Sequence, residues 1–257
     1  MVKNKINNNG YEYVDLELPS GTLWATMNVG ASSPEESGLY FQWGDTVGYT
    51  KEQIGIGNGQ KKFEMDWSDY KLSINGSDSN FSKYTTNGDA LELEDDAAHS
   101  HMGGDWHMPT SKQIWELIEN TTTSLTKIYG IVGISFTSKR NITKSIFFPV
   151  AGFARNGSLN CSGSEGYIWS SVLSTNNICD GQYLNITSEG AHLYGDYRNL
   201  GFTVRGVIDN NYNDSKLSEL IKNEIKNNFK VKVTKDDGGK VEVKLLYNGE
   251  VISSDMC

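Results

Sequence analysis

Short segments of β type, separated by glycine, asparagine or serine, constrain the fold of this chain more than any other feature. Beyond Tyr129, alternating or apolar segments occupy residues 131–137, 145–153, 167–173, 182–187, 192–197 and 202–208. The chain contains 27 Gly and only four Pro, and glycine-rich turns between short runs of β-branched and aromatic residues are typical of antiparallel sheets. We therefore expect a fold dominated by short strands.

Two helices are predicted in the middle of the sequence. The acidic run at residues 94–96 suits the first turn of one helix, where negative charge complements the helix dipole. Pro109 presets the entry to a second helix over residues 111–120, and Thr110 supplies its N-cap. The second helix has an apolar face with helical spacing, formed by Ile114, Leu117 and Ile118. The expected class is α+β.

Composition divides the chain into four parts. Residues 1–9 are polar and are expected to be flexible, 10–208 form the main domain, and 209–214 are a linker of Asp, Asn and Tyr. Residues 215–257 predict a small αβββ unit: a helix capped by Ser215, strands at 230–234 and 240–247 joined by a turn at 236–239, and a last strand after Asn248-Gly249. Units of this size rarely stand alone, so we expect it to dock on the main domain or on a partner.

Within the main domain, residues 50–90 are rich in Gly, Asn, Ser, Asp and Lys and carry only isolated aromatic residues. They are interpreted as a long decorated loop.

Charge and hydropathy exclude several partners. The formal net charge is -9, and an acidic chain without a basic stripe is a poor partner for nucleic acid. No apolar run reaches the roughly 18–20 residues of a membrane span, so membrane insertion is not expected. The first ten residues contain no apolar leader segment, so secretory export is not expected either.

The three cysteines show no zinc spacing; free thiols are favoured, and a Cys161–Cys179 bridge is the alternative.

Several longer phrases occur in a fixed order along the main domain. They are Tyr13-Val14-Asp15-Leu16, Leu18-Pro19-Ser20-Gly21-Thr22-Leu23-Trp24-Ala25-Thr26, Asn28-Val29-Gly30-Ala31, Tyr40-Phe41-Gln42-Trp43-Gly44-Asp45, Asp95-Asp96-Ala97-Ala98, Gly103-Gly104-Asp105-Trp106-His107-Met108-Pro109-Thr110, Phe147-Phe148-Pro149-Val150-Ala151-Gly152, Trp169-Ser170-Ser171 and Gly201-Phe202-Thr203-Val204-Arg205. This series resembles the Fibrobacter-type major paralogous domain family and, more distantly, formylglycine-generating and sulfatase-modifying folds. The resemblance implies a C-type-lectin-like fold, in which two helices flank irregular antiparallel sheets.

Eight residues of these phrases are expected to have structural roles. The four tryptophans sit next to Gly, Ser or Ala, as large rings do when they pack against close backbone. Arg205 lies in an apolar segment and should pair with a buried carboxylate, for which Asp45, Asp95 and Asp96 are the candidates. The structural set is Trp24, Trp43, Asp95, Asp96, Trp106, Pro109, Trp169 and Arg205.

No catalytic residue is predicted. The sulfatase-modifying relatives carry a cysteine pair shortly before the Gly-Phe-x-x-Arg strand, whereas residues 181–200 contain no cysteine; such an enzyme remains a minor alternative. His99 and His101, two positions apart on a helix, face in different directions, and His107 lies beyond a Gly-Gly turn, so no zinc site is expected. No nucleophile elbow and no phosphate-binding glycine loop occurs.

Calcium-mediated sugar binding of the animal type is also disfavoured. The Glu-Pro-Asn and Gln-Pro-Asp motifs are absent, and Trp169-Ser170-Ser171 stands where Trp-Asn-Asp would be expected. A structural Ca²⁺ near Asp95 or Asp180 is left open; otherwise no cofactor and no metal is expected.

The resemblance places ligand recognition in the late strands and loops, at residues 156–167 and 182–199. The second stretch combines tyrosine with hydrogen-bonding side chains, as recognition surfaces do, although alternate members of a strand must face the core. The candidate ligand-binding residues are Tyr183, Asn185, His192, Tyr194, Asp196, Tyr197, Arg198 and Asn199.

The expected function is a non-enzymatic structural or binding module. The resemblance points to gut bacteria and their phages, and we expect a phage virion surface protein: a capsid decoration, head-fibre or tail-associated protein. Its partners would be other virion proteins or a host surface glycan or protein, in a homo-oligomer or a larger assembly. The alternative is a secreted or cell-surface adhesin of a gut bacterium.

Overall fold

The computed structural model describes residues 5–6, 9–54, 63–209, 223–235 and 241–256. The chain divides into two compact units, unit 1 (Met1–Asp209) and unit 2 (Asn210–Cys257). Sheets predominate over a few short helices, which is compatible with the expected α+β class. No helix in the described ranges is long and apolar enough to cross a membrane.

Fourteen strands form the sheets of the described part of unit 1. They are β1 (Lys5–Ile6), β2 (Glu12–Asp15), β3 (Leu23–Ala25), β4 (Tyr40–Phe41), β5 (Thr121–Ile128), β6 (Ile131–Ser138), β7 (Ser145–Pro149), β8 (Phe153–Arg155), β9 (Ser158–Asn160), β10 (Gly166–Leu173), β11 (Asp180–Thr187), β12 (Gly190–Tyr197), β13 (Phe202–Thr203) and β14 (Val207–Ile208). A five-stranded sheet has the order β12-β11-β10-β13-β4, and a four-stranded sheet the order β1-β2-β3-β14. The second sheet thus joins the beginning of unit 1 to its end. The β5-β6-β7 sheet and the β8-β9 hairpin complete the unit.

The helices are α1 (Ala97–Met102), preceded by a 3-10 turn at Leu93–Asp95, and α2 (Ser111–Asn120). The prediction for α2 is confirmed at both ends. Thr110 and Gln113 form a reciprocal capping box at its start, in which each side chain accepts a hydrogen bond from the other residue's backbone N–H. In α1, Asp96 is the N-cap, because its carboxylate accepts the His99 N–H at 2.8 Å.

The five-stranded sheet separates two apolar cores. On one side, Leu184 and Ile186 of β11 pack with α2 and the β5-β6-β7 sheet. On the other side, Tyr183 packs with residues of β4, β10, β13 and α1. Successive residues of a strand face opposite sides, so one strand supplies both cores. The expected core tryptophans, Trp24, Trp43, Trp106 and Trp169, are all fully buried.

Arg205 is completely buried, but the prediction that it pairs with a carboxylate is wrong. Its Nε donates to Asn28 Oδ1 at 2.9 Å, and Nη1 and Nη2 donate to the carbonyl oxygens of Ala25 (3.0 Å) and Phe147 (3.2 Å). The guanidinium carbon lies 4.2 Å from the centre of the Phe148 ring. Backbone carbonyls and a ring face, rather than an anion, therefore hold this cation.

Some boundaries differ from the prediction. The Thr-rich strand β5 was not predicted, since most of its residues are exposed and leave no apolar alternation to read. The predicted strand 145–153 is two strands, because Gly152 interrupts it with a φ of +70°. The predicted strand 202–208 is likewise divided, into β13 and β14. Of the N-terminal segment, Lys5 and Ile6 are described as a short strand that pairs with Tyr13 and Glu12.

The segment 50–90, interpreted as a decorated loop, is anchored on unit 1 wherever it is described. Tyr70, Leu72 and Phe81 form a small apolar cluster of their own. Ile54 and Met65 join another cluster with Tyr40. Aromatic residues of this segment such as Tyr70 and Phe81 therefore attach it to the rest of unit 1, since Ile178 and Cys179 pack against their cluster.

Unit 2 contains β15 (Phe229–Lys235), β16 (Val241–Tyr247) and β17 (Glu250–Met256), in that order in one antiparallel sheet. Residues 223–228, immediately before β15, are helical. These strands occupy the predicted positions. The predicted cap Ser215, most of the predicted helix and the turn at 236–239 lie outside the described residues.

Candidate functional site

Five of the eight predicted ligand-binding residues lie on one face of the β11–β12 hairpin. In its register Tyr183 pairs with Tyr194, Asn185 with His192, and Gly181 with Asp196. Directly opposed residues of an antiparallel pair point to the same side of the sheet. We call this surface the tyrosine face, defined by Tyr183, Asn185, His192, Tyr194 and Asp196.

A ladder of rings runs across the tyrosine face from the core to the surface. Tyr183 lies 6.1 Å from Trp169 and 5.6 Å from Tyr167, measured between ring centres. Tyr194 follows at 6.4 Å from Tyr183, and its ring stacks with His192 at 5.7 Å. Trp169 is fully buried, whereas Tyr194 is 52% exposed. The ladder thus begins at the buried ring of Trp169. It ends at the exposed rings of Tyr194 and His192 on β12, the edge strand of the five-stranded sheet.

Carboxylates and hydroxyls complete the tyrosine face. Glu165 accepts hydrogen bonds from the Tyr167 hydroxyl at 2.6 Å and from Asn185 Nδ2 at 3.4 Å. Burial, together with the negative charges of Asp196 and Glu165, raises the pKa of Tyr183 well above its usual value. The Tyr183 hydroxyl therefore stays protonated at neutral pH, and the face offers hydroxyl donors beside carboxylate acceptors.

Tyr197, Arg198 and Asn199 lie away from the tyrosine face. Tyr197 is half exposed and contacts the ring of Trp67. Arg198 is completely buried and Asn199 is 5% exposed, and within the tyrosine face Tyr183 and Asn185 are each 7% exposed. The structure therefore leaves His192, Tyr194 and Asp196 as the members of the predicted set that reach the surface on the tyrosine face. The chain turns inward after β12, and Asn199 then contacts the backbone of Met65.

Asp95 and Asp96 are both buried, and each accepts hydrogen bonds from within unit 1. Asp95 accepts from Lys71 (3.1 Å), Lys83 (2.8 Å) and the Tyr84 hydroxyl (2.8 Å). Burial alone would raise the pKa of Asp95, but these donors together hold it below its usual value. Asp96 caps α1 and also accepts the Met108 N–H at 2.7 Å; burial nevertheless raises the pKa of Asp96.

In the part of the chain that the structure describes, both candidate positions for calcium already have other polar partners. Glu92, Glu94 and Asp95 bring carboxylate oxygens together, but the Lys83 ammonium already binds all three. A cation would have to displace this ammonium. At Asp180, one carboxylate oxygen accepts from the Asn177 side chain at 3.1 Å, and calcium requires six to eight oxygen ligands.

The three histidines near α1 make separate contacts with the backbone. His99 Nδ1 lies 3.2 Å from the Trp106 carbonyl, His101 Nε2 lies 2.9 Å from that of Thr46, and His107 Nδ1 lies 2.9 Å from that of Met108. In the described part of the chain, the acidic group at 92–95 is the one cluster of His, Cys, Asp or Glu close enough for a metal. Cys161 and Cys179 are free, so the alternative of a bridge between them is wrong.

Sequence reasoning missed a concave cleft of about 620 Å³ elsewhere on unit 1. Its lining includes the apolar Leu39, Val132 and Val150 and the acidic Glu35 and Glu52. The lining comes from separate segments around residues 30–39, 50–52, 130–132, 149–151 and 162–163. No local pattern could have brought these segments together before the fold was known.

The chain matches no family model, no curated protein and no solved structure.

Proposed function

We propose that this chain is a non-enzymatic binding module and that the tyrosine face is its contact surface. The observation that carries the proposal is the exposed Tyr194 ring at the end of a ladder that begins in the core. A ring held in this way loses little conformational entropy on binding, because the sheet and the rings beneath have already restricted it.

The chemistry of the face favours a neutral, hydroxyl-rich or peptide-like ligand. Tyr194 and His192 provide flat apolar area with polar edges, and Asp196 and Glu165 provide carboxylate acceptors next to them. Anionic ligands are disfavoured by these carboxylates and by the net charge of -9. A glycan or a protein on a host surface fits this combination.

The setting that we propose is the surface of a phage virion, with a bacterial cell surface as the alternative. The proposal of a virion rests on the family resemblance carried by the phrases between Tyr13 and Arg205. Mass spectrometry of purified particles of a phage that encodes this chain tests it. Peptides of this chain are expected among the virion proteins, and particles without them would favour the adhesin.

The contact surface is tested by binding of the purified chain to a glycan array and to intact host cells. Tyr194→Ala is expected to weaken binding by at least about tenfold, since exposed aromatic contacts are typical hot spots. Tyr129→Ala is the matched control, because Tyr129 is also an exposed tyrosine but lies in the β5–β6 turn. Equal binding by wild type and Tyr194→Ala would refute the proposal, as would failure of the wild type to bind either target.

A further inference from the structure

The ring of His107 lies between two hydrogen-bond acceptors near the end of unit 1. Its Nδ1 is 2.9 Å from the carbonyl oxygen of Met108, and its Nε2 is 3.6 Å from Oδ2 of Asp209. Two backbone hydrogen bonds with Val207, of 3.1 and 2.8 Å, hold the backbone of His107 beside β14. The side chain of His107 is 20% exposed. The ring is therefore held in place with an acceptor close to each nitrogen.

A neutral imidazole cannot satisfy both acceptors. It carries one N–H, whereas an imidazolium carries two. If Nδ1 of His107 donates to Met108, the lone pair of Nε2 faces the Asp209 carboxylate. If Nε2 carries the proton instead, the lone pair of Nδ1 faces the Met108 carbonyl. The buried Nε2 atom makes no hydrogen bond in the described structure. Protonation of the ring is what lets it donate to Met108 and attract Asp209 together.

Asp209 is also held by the second helix. Gln113 Nε2 donates to Asp209 Oδ1 at 2.6 Å, while Gln113 Oε1 accepts the Thr110 N–H at 2.8 Å in the capping box of α2. Asp209 is the last residue of unit 1. Its carboxylate thus links the end of unit 1 to a neutral donor on α2 and to His107, a group that can gain a charge.

The charged groups that face His107 are Asp209 and Asp96, the N-cap of α1. Asp96 accepts the Met108 N–H at 2.7 Å. Burial raises the pKa of Asp96, and the positive charge of a protonated His107 acts against that rise. Both carboxylates attract a protonated ring. The attraction of Asp209 is screened by solvent, because this side chain is 58% exposed, so the effect of pH on the contact should be modest.

We infer that protonation of His107 tightens its contact with Asp209, so that the end of unit 1 is held more firmly in mildly acidic than in neutral solution. Histidine is the side chain that ordinarily changes its charge between about pH 5 and pH 8. The Gln113 bond to Asp209 involves a neutral donor and remains at both pH values. This inference does not depend on the tyrosine face, because neither His107 nor Asp209 belongs to that surface.

A double-mutant cycle of His107→Gln and Asp209→Asn tests the inference in the full chain. All six tryptophans belong to unit 1, so their fluorescence in urea measures its unfolding. At about pH 5.5 the coupling of the two residues should change the unfolding equilibrium constant about threefold. At about pH 7.5, where the ring is neutral, the coupling should fall below about 1.5-fold.

His99→Gln provides the matched control for this cycle. His99 also lies next to a backbone carbonyl, that of Trp106 at 3.2 Å, and it belongs to α1. Its substitution should show no coupling with Asp209→Asn at either pH. Coupling of His107 with Asp209 that is equal at the two pH values overturns the inference, and so does the absence of coupling at the lower pH.

NMR relaxation of the backbone keeps the inference testable if a variant does not fold. The steady-state ¹⁵N heteronuclear NOE of the Asp209 amide in the wild type should be larger at about pH 5.5 than at about pH 7.5, because the held backbone moves less. The amide of Ile186, in the buried part of β11, should give the same value at both. An Asp209 amide that is equally mobile at both pH values contradicts the inference. A difference that persists in Asp209→Asn would assign the effect to another group and equally refute it.

Discussion

The guanidinium carbon of Arg198 lies 3.4 Å from the centre of the Phe81 ring, beneath the segment that follows residue 63. Its Nη1 donates to the Tyr84 carbonyl at 3.0 Å, while Nε and Nη2 have no hydrogen-bond partner in the described structure. The rings of Trp43 and Tyr70 lie within 6 Å of the same cation. Arg198, which follows β12, therefore links the segment after residue 63 to the five-stranded sheet. It does so through contacts with aromatic ring faces and one hydrogen bond to a backbone carbonyl.

Arg198→Ala should lower the free energy of unfolding by about 3 kcal/mol, because a large buried side chain and its cation–π contacts are lost. Urea denaturation measures this change. Arg155→Ala, an exposed arginine of β8, is the control and should change stability by less than about 0.5 kcal/mol. A ligand-binding role for Arg198 would instead predict lost binding with unchanged stability.

Arg205→Lys should also destabilise unit 1, by about 3 kcal/mol, although the charge is retained. A single ammonium cannot reach Asn28, Ala25 and Phe147 together, so buried acceptors lose their donors. The change is measured by urea denaturation of the folded chain. Stability equal to that of the wild type would mean that charge alone, rather than the fork of donors, matters at this position.

Asp96→Ala should cost about 2 kcal/mol, since the cap of α1 and the bond to the Met108 N–H are both lost. Asp96→Asn retains one acceptor oxygen and should cost about half as much. Thermal unfolding of the two variants beside the wild type gives the order. If Asp96→Asn were as damaging as Asp96→Ala, the carboxylate charge would be the essential property.

Stability should fall as the pH rises above about 10, the pKa at which exposed tyrosines ionise. Burial raises the pKa of Tyr70, Tyr167 and Tyr183 in the folded chain, so the unfolded chain releases these protons first and gains stability with increasing pH. Burial lowers the pKa of Arg205 to about 9 and also lowers the pKa of Arg198. Both shifts act in the opposite direction, and we expect the three tyrosines to outweigh these two groups. Urea unfolding at several pH values measures the slope.

Tyr183→Phe tests how much the ionisation of Tyr183 contributes to the loss of folding stability at high pH. The variant should have nearly wild-type stability at neutral pH, because no hydrogen bond of the Tyr183 hydroxyl is seen in the described structure. It should lose less stability than the wild type above pH 10. An identical pH slope for the two proteins would show that Tyr183 does not contribute to it.

The sequence predicted elements whose signals are local. Thr110 and Gln113 form their capping box within one helical turn, so α2 could be placed from its own residues. The segments predicted at 182–187 and 192–197 lie within β11 and β12, whereas the pairing of Tyr183 with Tyr194 was seen only in the structure. The strand β5 was not predicted because its exposed threonines do not alternate with apolar residues.

Contacts between distant segments were beyond such reasoning. Arg198 and Asn199 have the composition of a binding surface, and only the path of the chain after β12 buries them. The partners of Arg205 lie 58 to 180 residues away and are mostly backbone carbonyls. Because every residue has a backbone carbonyl, the sequence gives no signal for which ones Arg205 contacts. Local patterns thus determined α2, most of the longer strands and the side-chain chemistry of this protein. The tertiary structure decided which of those side chains reach solvent, because burial depends on packing between segments far apart in the chain.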